Sequence, residues 1–464
     1  MSTDSGSGPS NPWKSVPSTG QRPEPDLAAA AAQVLEQPAT GPARTDTEGR
    51  VVFDAGKGVL VPLAIKGYLL TLVTLGIYRF WYITDLRRFF WGHTLVHGSS
   101  LEYIGRGLEI FLGFLIALAI IVPLNAIVLG VSIGLNPELA PFASIALSLV
   151  FGFLFLFAYY RARRYRLNRT VWRGLRVHQT GSGWGYAVRA AGWIVLGILT
   201  LGLSVPFAEA DLYRYRIARM HLGAAPFSFY GSWRSIAVPY GILWAIFILP
   251  LALVTLTALF TVDFVAFAGA WVPTGDGNFR LDTTKLGPGD AGVIAAFASS
   301  VGWTVFGLFV SYPYYYARRT SQFFSATALQ GVKTEMRLKA RSLYGAYLLF
   351  FLLVALAGIV VPLVFGIIAG ILYFFIGLAS LPEGSQTVVT LITSLIGIYG
   401  FLVVVGILGL IYLQRRIWEL VAGSIFILNP ELLDDLVGRL QDSEGGFGAG
   451  FADAMDVGDF DIGL

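Results

Sequence analysis

The amino-acid sequence predicts an all-α integral membrane protein, a repeated polytopic helical bundle with two helices broken at Thr-Leu-Gly and short interfacial strands. Of the 464 residues, 55% are hydrophobic and 13% are charged, and the mean hydropathy is +0.66. A soluble domain carries about 25% charged residues, so burial in a water-soluble core does not explain this composition. The chain has no cysteine, which excludes disulfides and thiolate sites.

Four regions follow one another along the chain. Residues 1–50 are rich in Ser, Pro, Gly and Ala and predict a disordered tail without a cleavable signal. Residues 51–235 predict the first part of a membrane domain, with two tandem Thr-Leu-Gly repeats, and residues 236–430 predict the second part, with four spanning helices. Residues 431–464 are Gly-rich and acidic and predict a solvated tail, with a tail that docks a partner as the alternative.

The membrane domain contains eight apolar segments. A helix needs about 20 residues to cross about 30 Å of hydrocarbon, and six of the segments satisfy this comfortably. The first and the fourth differ, because each becomes charged after a Thr-Leu-Gly. The segments are residues 59–83, 107–135, 140–160, 186–207, 236–260, 291–316, 342–378 and 388–413.

The two Thr-Leu-Gly segments match each other at a constant offset of 126 residues, without a gap. Both contain an aspartate three residues before an arginine, which places acid and base on one helix face. The match predicts a tandem repeat. The first copy contains Leu70, Thr74, Leu75, Gly76, Asp85, Leu86, Arg88 and Gly105, and the second contains Leu196, Thr200, Leu201, Gly202, Asp211, Leu212, Arg214 and Gly231.

A second recurring unit, Tyr-x-x-Arg-Arg, ends three of the apolar helices. A tyrosine ring and paired guanidiniums favour the boundary between lipid and water, so these residues are predicted interfacial anchors. The three units are Tyr160 with Arg163 and Arg164, Tyr315 with Arg318 and Arg319, and Tyr412 with Arg415 and Arg416.

Short extended stretches lie beside the apolar helices. They favour two interpretations equally, a small sheet at the membrane surface or simple extended linkers. The stretches are residues 51–54, 101–105, 176–181, 227–231 and 333–339.

The distribution of Lys and Arg predicts the orientation, since basic loops remain in the cytoplasm. Two basic loops, 161–189 and 212–234, flank a single apolar segment, which strict alternation of eight spans does not allow. We therefore expect six full spans, two re-entrant Thr-Leu-Gly segments and both tails in the cytoplasm. The alternative is eight straight spans that violate the charge rule.

Several motifs in the first copy resemble the YjgN-like family of bacterial inner-membrane proteins. These are Thr74 to Tyr78 followed by Phe80 and Trp81, the Arg87-Arg88 pair, Gly92-His93-Thr94, and Glu102 to Gly105. The second copy departs from the aromatic part, with Ser204, Pro206 and Phe207 in place of Tyr78, Phe80 and Trp81. The resemblance implies a multi-pass bacterial inner-membrane protein. It supplies no reaction, because the function of the family is uncharacterised.

Charged and polar residues near the Thr-Leu-Gly breaks are candidates for a solute or ion path. Lys66 lies within an apolar arm, where a charge costs about 2.5 to 3.5 kcal/mol, although its ammonium could also reach the near interface. The paired aspartates could handle ions or form ion pairs with their arginines. The candidate path comprises Lys66, Thr74, Gly76, Asp85, Arg88, Thr200, Gly202, Asp211 and Arg214.

Other residue patterns predict partners more weakly. His93 and His97 have the i, i+4 spacing of two metal ligands on a helix, but interfacial histidines are the preferred interpretation and no metal or cofactor is predicted. The arginines of residues 161–176 would attract anionic lipid headgroups at about 1 kcal/mol per charge. No nucleic-acid partner is expected, because the bases flank apolar helices.

The leading functional hypothesis is transporter- or channel-like handling of a small solute or ion, by analogy with transporters built from repeated broken helices. The alternative is a non-catalytic membrane scaffold that assembles envelope proteins or organises lipids. An enzyme is not expected, since no constellation of nucleophile, base and metal is present in the sequence.

Overall fold

The computed structural model describes residues 49–134, 140–262, 264–274, 278–375 and 382–444. Apart from residues 49 and 50, the predicted tail 1–50 lies outside the described residues, and so does the acidic stretch 445–464. The helices are α1 (Lys57–Val73), α2 (Arg79–Gly92), α3 (Gly107–Gly134), α4 (Ala140–Asn168), α5 (Gly183–Leu199), α6 (Val205–Ile217), α7 (Arg234–Thr261), α8 (Phe264–Gly269), α9 (Pro288–Ser325), α10 (Ala340–Phe375), α11 (Glu383–Leu408), α12 (Arg415–Ala422) and α13 (Pro430–Glu444).

Six helices of the described chain are long and apolar enough to cross a membrane, as the composition predicts. They are α3, α4, α7, α9, α10 and the helix formed by α11, a π-helical turn at Gly409–Gln414, and α12. Their surfaces are largely unburied by protein, and most of their exposed side chains are large and apolar. This pattern is the one expected for helices surrounded by lipid.

Ten short antiparallel strands form one sheet at one end of these helices, in which each strand pairs with the next strand of the same sheet in chain order. The ring is nearly closed, because the amide of Ile427 donates to the carbonyl of Gly49 (2.8 Å) and Arg50 bridges to Phe426. The strands are β1 (Val51–Phe53), β2 (Thr94–Val96), β3 (Ser99–Tyr103), β4 (Thr170–Trp172), β5 (Leu175–Gln179), β6 (Met220–Leu222), β7 (Ala225–Phe229), β10 (Thr327–Leu329), β11 (Val332–Met336) and β12 (Ile425–Ile427); β8 (Trp271–Thr274) and β9 (Asn278–Leu281) pair separately.

The all-α prediction was therefore wrong in one respect, since the protein combines a helical membrane part with a sheet. Each of the five predicted extended stretches overlaps a strand of the ring, which favours the sheet over the linker interpretation. Strands of three to five residues carry little alternating pattern, so the sequence could not reveal how many there are. Closure of the ring leaves few unpaired edge groups.

Two-residue turns set the register of three hairpins in the ring. Each turn has two residues with positive φ, the last of them glycine, for example His97 at 47° and Gly98 at 77°. Arg173-Gly174 and Gln330-Gly331 adopt the same conformation. Such turns match the twist of antiparallel strands, which explains tight hairpins at these positions.

Helix α13 packs against the apolar core of the ring. Leu433, Leu436, Val437 and Leu440 are buried with Trp172, Leu175, Leu222, Ala225, Leu329, Val332 and Ile427. The prediction of a solvated tail from residue 431 therefore differs from the structure over residues 431–444. The acidic residues of this segment lie on a helix whose other face supplies apolar side chains at i, i+3, i+4 and i+7.

Both Thr-Leu-Gly segments interrupt a helix with the same turn. Thr74 and Thr200 donate to the carbonyls four residues earlier, and Gly76 and Gly202 have φ of 93° and 89°. The leucine between them is also left-handed in both turns. The local structures of the two matched segments are therefore alike, although the tandem repeat itself stays a prediction.

Each broken helix returns to the sheet it started from. Helix α1 follows β1 and α2 precedes β2, and these strands pair with each other. Helices α5 and α6 are related in the same way to the paired strands β5 and β6. The small β8 and β9 hairpin lies beyond the other end of α7, about 40 Å away along a 28-residue helix.

Candidate anion-binding site

Several helices carry arginines within about two helical turns of the strand that follows the helix in the chain. Arg87 lies in α2 before β2, Arg163 and Arg166 lie in α4 before β4, and Arg216 lies in α6 before β6. We call these four residues the arginine cluster. Positive charge near a helix C-terminus is favourable, because the helix dipole leaves partial negative charge there.

Tyrosines connect the members of the arginine cluster. Arg216 donates from Nη1 to the hydroxyl of Tyr159 (3.0 Å), and its guanidinium lies over the ring of Tyr213 at 5.6 Å. The positive charges of Arg216 and Arg166 both lie close enough to Arg163 to repel its guanidinium electrostatically.

Arg166 interacts in turn with the charge of Arg87, and Arg87 donates to the hydroxyl of Tyr103 (2.8 Å). The four guanidiniums thus lie near enough to one another for their charges to interact, where the helices meet the sheet.

Arg163 has a buried donor, its Nε, without a partner in the described structure. Its Nη2 approaches the sulfur of Met220 at 3.8 Å. A guanidinium has five N–H donors and a sulfur is a weak acceptor. A buried donor without an acceptor is costly, so this position favours an added oxygen-bearing ligand.

Asp85, the only acid on α2, is an ion-pair partner of Arg88 at 3.8 Å. The sequence indicated two roles for this aspartate, ion handling or an ion pair with the arginine three residues later. The structure contains the ion pair. Arg88 also donates to the carbonyl of Gly105 (3.0 Å). The residues 126 positions later make the corresponding contact, in which Arg214 donates to the carbonyl of Gly231 (3.1 Å). The matched arginines therefore make the same kind of contact in both Thr-Leu-Gly segments.

Asp211 binds a different partner from the predicted one. It accepts hydrogen bonds from Arg189 (2.5 and 3.1 Å) and from the indole of Trp193 (2.8 Å), all within the α5 and α6 hairpin. Partial burial raises its pKa, but these hydrogen bonds outweigh it and hold the pKa below its usual value. Asp211 is thus an ionised structural acid.

The two glutamates near the cluster are also engaged. Glu109 of α3 accepts from the hydroxyl of Tyr165 (2.8 Å) and from Arg169 (3.1 Å). Within the described part of α2, α3, α4 and α6, every acidic side chain therefore has a partner outside the arginine cluster. The corresponding partners of Glu209 are Tyr315 and Arg319.

The remaining predicted path residues do not converge on one site. Lys66 is exposed on α1, and Thr74 and Gly76 lie at the turn of the first hairpin. The first hairpin packs against α3, α11 and the π-helical turn, whereas the second, with Thr200 and Gly202, packs against α4 and α7. A single path through both breaks has no support from these contacts.

The histidines and the Tyr-x-x-Arg-Arg units have structural partners. His93 ends α2 and His97 lies in a hairpin turn, so their spacing is not helical, and no cluster of three metal-ligating side chains occurs among the described residues. Tyr160 and Tyr315 are buried within the protein instead of lying exposed at an interface. Arg415 donates to the carbonyl of Ala55 (2.6 Å). The other members of these units are Arg164, Arg318, Arg319, Tyr412 and Arg416.

The sequence patterns predicted the arginines of α4 as interfacial anchors, as determinants of topology and as groups that attract anionic lipid headgroups, and not as a specific site. One signal in the sequence could have identified the cluster, namely that Arg87, Arg166 and Arg216 each precede a short strand by a few residues. Their proximity depends on the pairing of the strands from β2 to β6, which places the ends of α2, α4 and α6 along the same part of the sheet.

Comparison with protein families gives one match. A family described as a bacterial protein of unknown function (DUF898) matches residues 48–454, most of the chain. The match confirms the resemblance to YjgN-like proteins. No curated protein and no solved structure matches the chain.

Proposed function

Because the chain belongs to this bacterial family of unknown function, we propose its role from the arginine cluster: it binds a small phosphate-bearing solute or ion and handles it in a transporter- or channel-like manner. The observation that carries the proposal is a set of four neighbouring arginines to which none of the acids on α2, α3, α4 and α6 is paired. Guanidiniums bind phosphate oxygens strongly and with defined geometry.

The proposal includes the location of the site. The basic ends of α2, α4 and α6 face the sheet, and the rule that positive loops remain inside favours a cytoplasmic sheet in the bacterial inner membrane. Both tails would then be cytoplasmic, and the two helical hairpins would re-enter the membrane from that side. The tandem repeat would supply the two hairpins, supported by their matching turns and arginine contacts.

The test is binding of inorganic phosphate to the purified full chain in nanodiscs of zwitterionic lipid. Each lost charge-assisted hydrogen bond costs about 1.5 to 3 kcal/mol, so Arg163→Gln combined with Arg216→Gln should weaken binding by about tenfold or more. Arg318→Gln, an exposed arginine that lies over Tyr314, is the matched control and should bind as the wild type does. Equal affinity of all three proteins, or no binding to any, would contradict the proposal.

A second candidate function is a non-catalytic scaffold that assembles envelope proteins or organises lipids. It is favoured by α13, which packs in the apolar core of the ring and leaves Glu431 and Asp435 exposed. Glu431→Gln combined with Asp435→Asn keeps the buried face of α13 and discriminates between the two functions. A cellular phenotype from this variant together with none from the arginine variant would favour the scaffold.

A further inference from the structure

A large apolar groove lies beside the second Thr-Leu-Gly turn. It has a volume of about 750 Å³, is open on one side, and is lined by residues of α4, α5, α6, α7 and α9. We call it the hairpin pocket. Volumes of about 300 to 1,000 Å³ are typical of sites for small-molecule ligands. Its lining includes Trp193, Gly197, Trp244, Phe247 and Leu251.

The pocket exists because the hairpin is shorter than its neighbours. Helix α5 has 17 residues and α6 has 13, whereas α4 has 29 and α7 has 28. At about 1.5 Å per residue, the hairpin therefore ends roughly 15 Å short of the adjacent spans. Long helices on either side then bound a space that no protein segment of the hairpin fills.

The backbone carbonyls of the turn accept hydrogen bonds from neighbouring side chains, so the surface of the pocket remains mostly apolar. Trp244 donates from its indole to the carbonyl of Leu201 (2.7 Å), and Tyr240 donates to that of Gly202 (2.7 Å). The carbonyl of Gly202 also accepts from the amide of Val205, so the two side chains add to the hydrogen bonds that satisfy the broken helix, as required at membrane depth. The resulting wall presents mostly hydrocarbon and aromatic surface.

The pocket adjoins the arginine cluster. Tyr186 lines the pocket, and its ring stacks on Tyr159, the tyrosine that accepts from Arg216. Leu212 also lines the pocket, while its carbonyl accepts from Nε of Arg216 (3.2 Å). One layer of residues, which includes Tyr186 and Leu212, thus lies between the pocket and Arg216 of the cluster, so a ligand long enough to pass around this layer could contact both.

We propose that the ligand is an anionic membrane amphiphile, with its phosphate headgroup at the arginine cluster and an acyl chain in the hairpin pocket. This inference rests on the proposed binding of phosphate at the cluster. The apolar lining matches a hydrocarbon chain, and the neighbouring positive charge matches the anionic end. A soluble phosphorylated solute would use the cluster and leave the pocket irrelevant.

The experiment compares binding of inorganic phosphate, dihexanoyl phosphatidic acid and a long-chain phosphatidic acid to the detergent-purified full chain. Gly197→Phe fills the pocket, since a side chain there meets only Ser204 at an ordinary distance. Gly192→Phe is the matched control on the same helix, in open space away from the pocket lining. Leu251→Trp narrows the pocket from α7 and serves as a second, independent filling variant.

We expect the long-chain lipid to bind the wild type about 100-fold more tightly than inorganic phosphate, because the chain adds apolar contact. Both filling variants should lose about tenfold of the long-chain affinity, keep that for inorganic phosphate, and differ from the control. Unchanged long-chain affinity in both filling variants, with phosphate binding intact, would overturn the inference and leave the proposed function standing. If Arg163→Gln combined with Arg216→Gln binds inorganic phosphate as tightly as the wild type, the proposed function is refuted instead.

Discussion

Tyr240 and Trp244 explain how a broken helix is tolerated beside the second hairpin. Both side chains donate to carbonyls of the turn at 2.7 Å. At the first turn, Leu75 is highly exposed and a side chain on Gly76 would meet nothing nearby. The two turns share a backbone conformation, but the second is held by its neighbour α7.

Replacement of Tyr240 by phenylalanine removes one of the two donors to the carbonyl of Gly202, which also accepts from the amide of Val205 (3.0 Å). Loss of one intramolecular hydrogen bond costs about 0.5 to 1.5 kcal/mol. Tyr240→Phe should therefore lower the midpoint of thermal unfolding in detergent, whereas Tyr399→Phe, at an exposed tyrosine of α11, should not. Equal midpoints for the two variants would show that the hydrogen bond does not stabilise the turn.

Helix α13 packs against the core of the ring, although its many acidic residues led to the prediction of a solvated tail. Its buried face occupies the core of the ring, and Asp434 fixes it to two hairpin turns through Arg173 (2.6 Å) and His97 (3.0 Å). The side-chain amide of Gln441 adds a hydrogen bond to the carbonyl of Arg173 (2.7 Å). Docking therefore combines apolar burial with contacts at the rim.

Leu436 and Leu432 form a matched pair for testing the docking of α13. Leu436 is 3% exposed and Leu432 is 46% exposed. Leu436→Asn loses buried apolar area and places an amide in the core, at a cost of about 3 kcal/mol or more. Limited proteolysis should then cleave α13 much faster than in the wild type. Leu432→Asn should behave as the wild type does, and equal cleavage of both variants would contradict the docked helix.

The same contacts make docking depend on pH. Partial burial raises the pKa of Asp434, but hydrogen bonds from Arg173 and His97 dominate and lower it below its usual value. The contact is thus fully present above the ordinary aspartate pKa of about 3.9 and is lost as the pH falls through the lower folded value. Anisotropy of a probe on Ser443→Cys should decrease over this range, and Asp434→Asn should remove the dependence. An unchanged titration in that variant would refute the assignment.

The whole molecule has two distinct ends. The ten-stranded ring lies at one end of α7, and the β8 and β9 hairpin lies at the other, about 40 Å away. If α7 crosses the membrane, Ser232 next to the ring and Thr274 in β8 are on opposite faces.

The absence of cysteine makes this arrangement testable in cells. An impermeant maleimide should label Thr274→Cys from outside, whereas Ser232→Cys should react only after the membrane is opened. Labelling of both positions from outside would exclude the proposed orientation.

The sequence was sufficient for some features of this architecture and insufficient for others. Composition and segment length predict the six long helices, and the Thr-Leu-Gly match predicts two broken helices with the same turn. The ring was not predictable in full, because strands of three residues such as β2 have almost no pattern of their own. The apolar spacing of Leu433, Leu436, Val437 and Leu440 was present, but acidic neighbours favoured a solvated interpretation.

The candidate site was less predictable than the fold. The sequence shows many arginines but not which carboxylates neutralise them. Asp211 pairs with Arg189, far from the predicted i+3 partner, and Glu209 pairs across helices with Arg319. Only the tertiary structure shows that Arg163 and Arg216 are left without an acidic partner among the described residues.

Electron cryomicroscopy of the full chain in nanodiscs containing phosphatidic acid tests the proposed site most directly. The account predicts non-protein density within hydrogen-bonding distance of the Arg163 and Arg216 guanidiniums, continuing as a chain into the hairpin pocket beside Trp244. A map in which both guanidiniums bind carboxylates of the protein, and in which the pocket holds no chain, would contradict it.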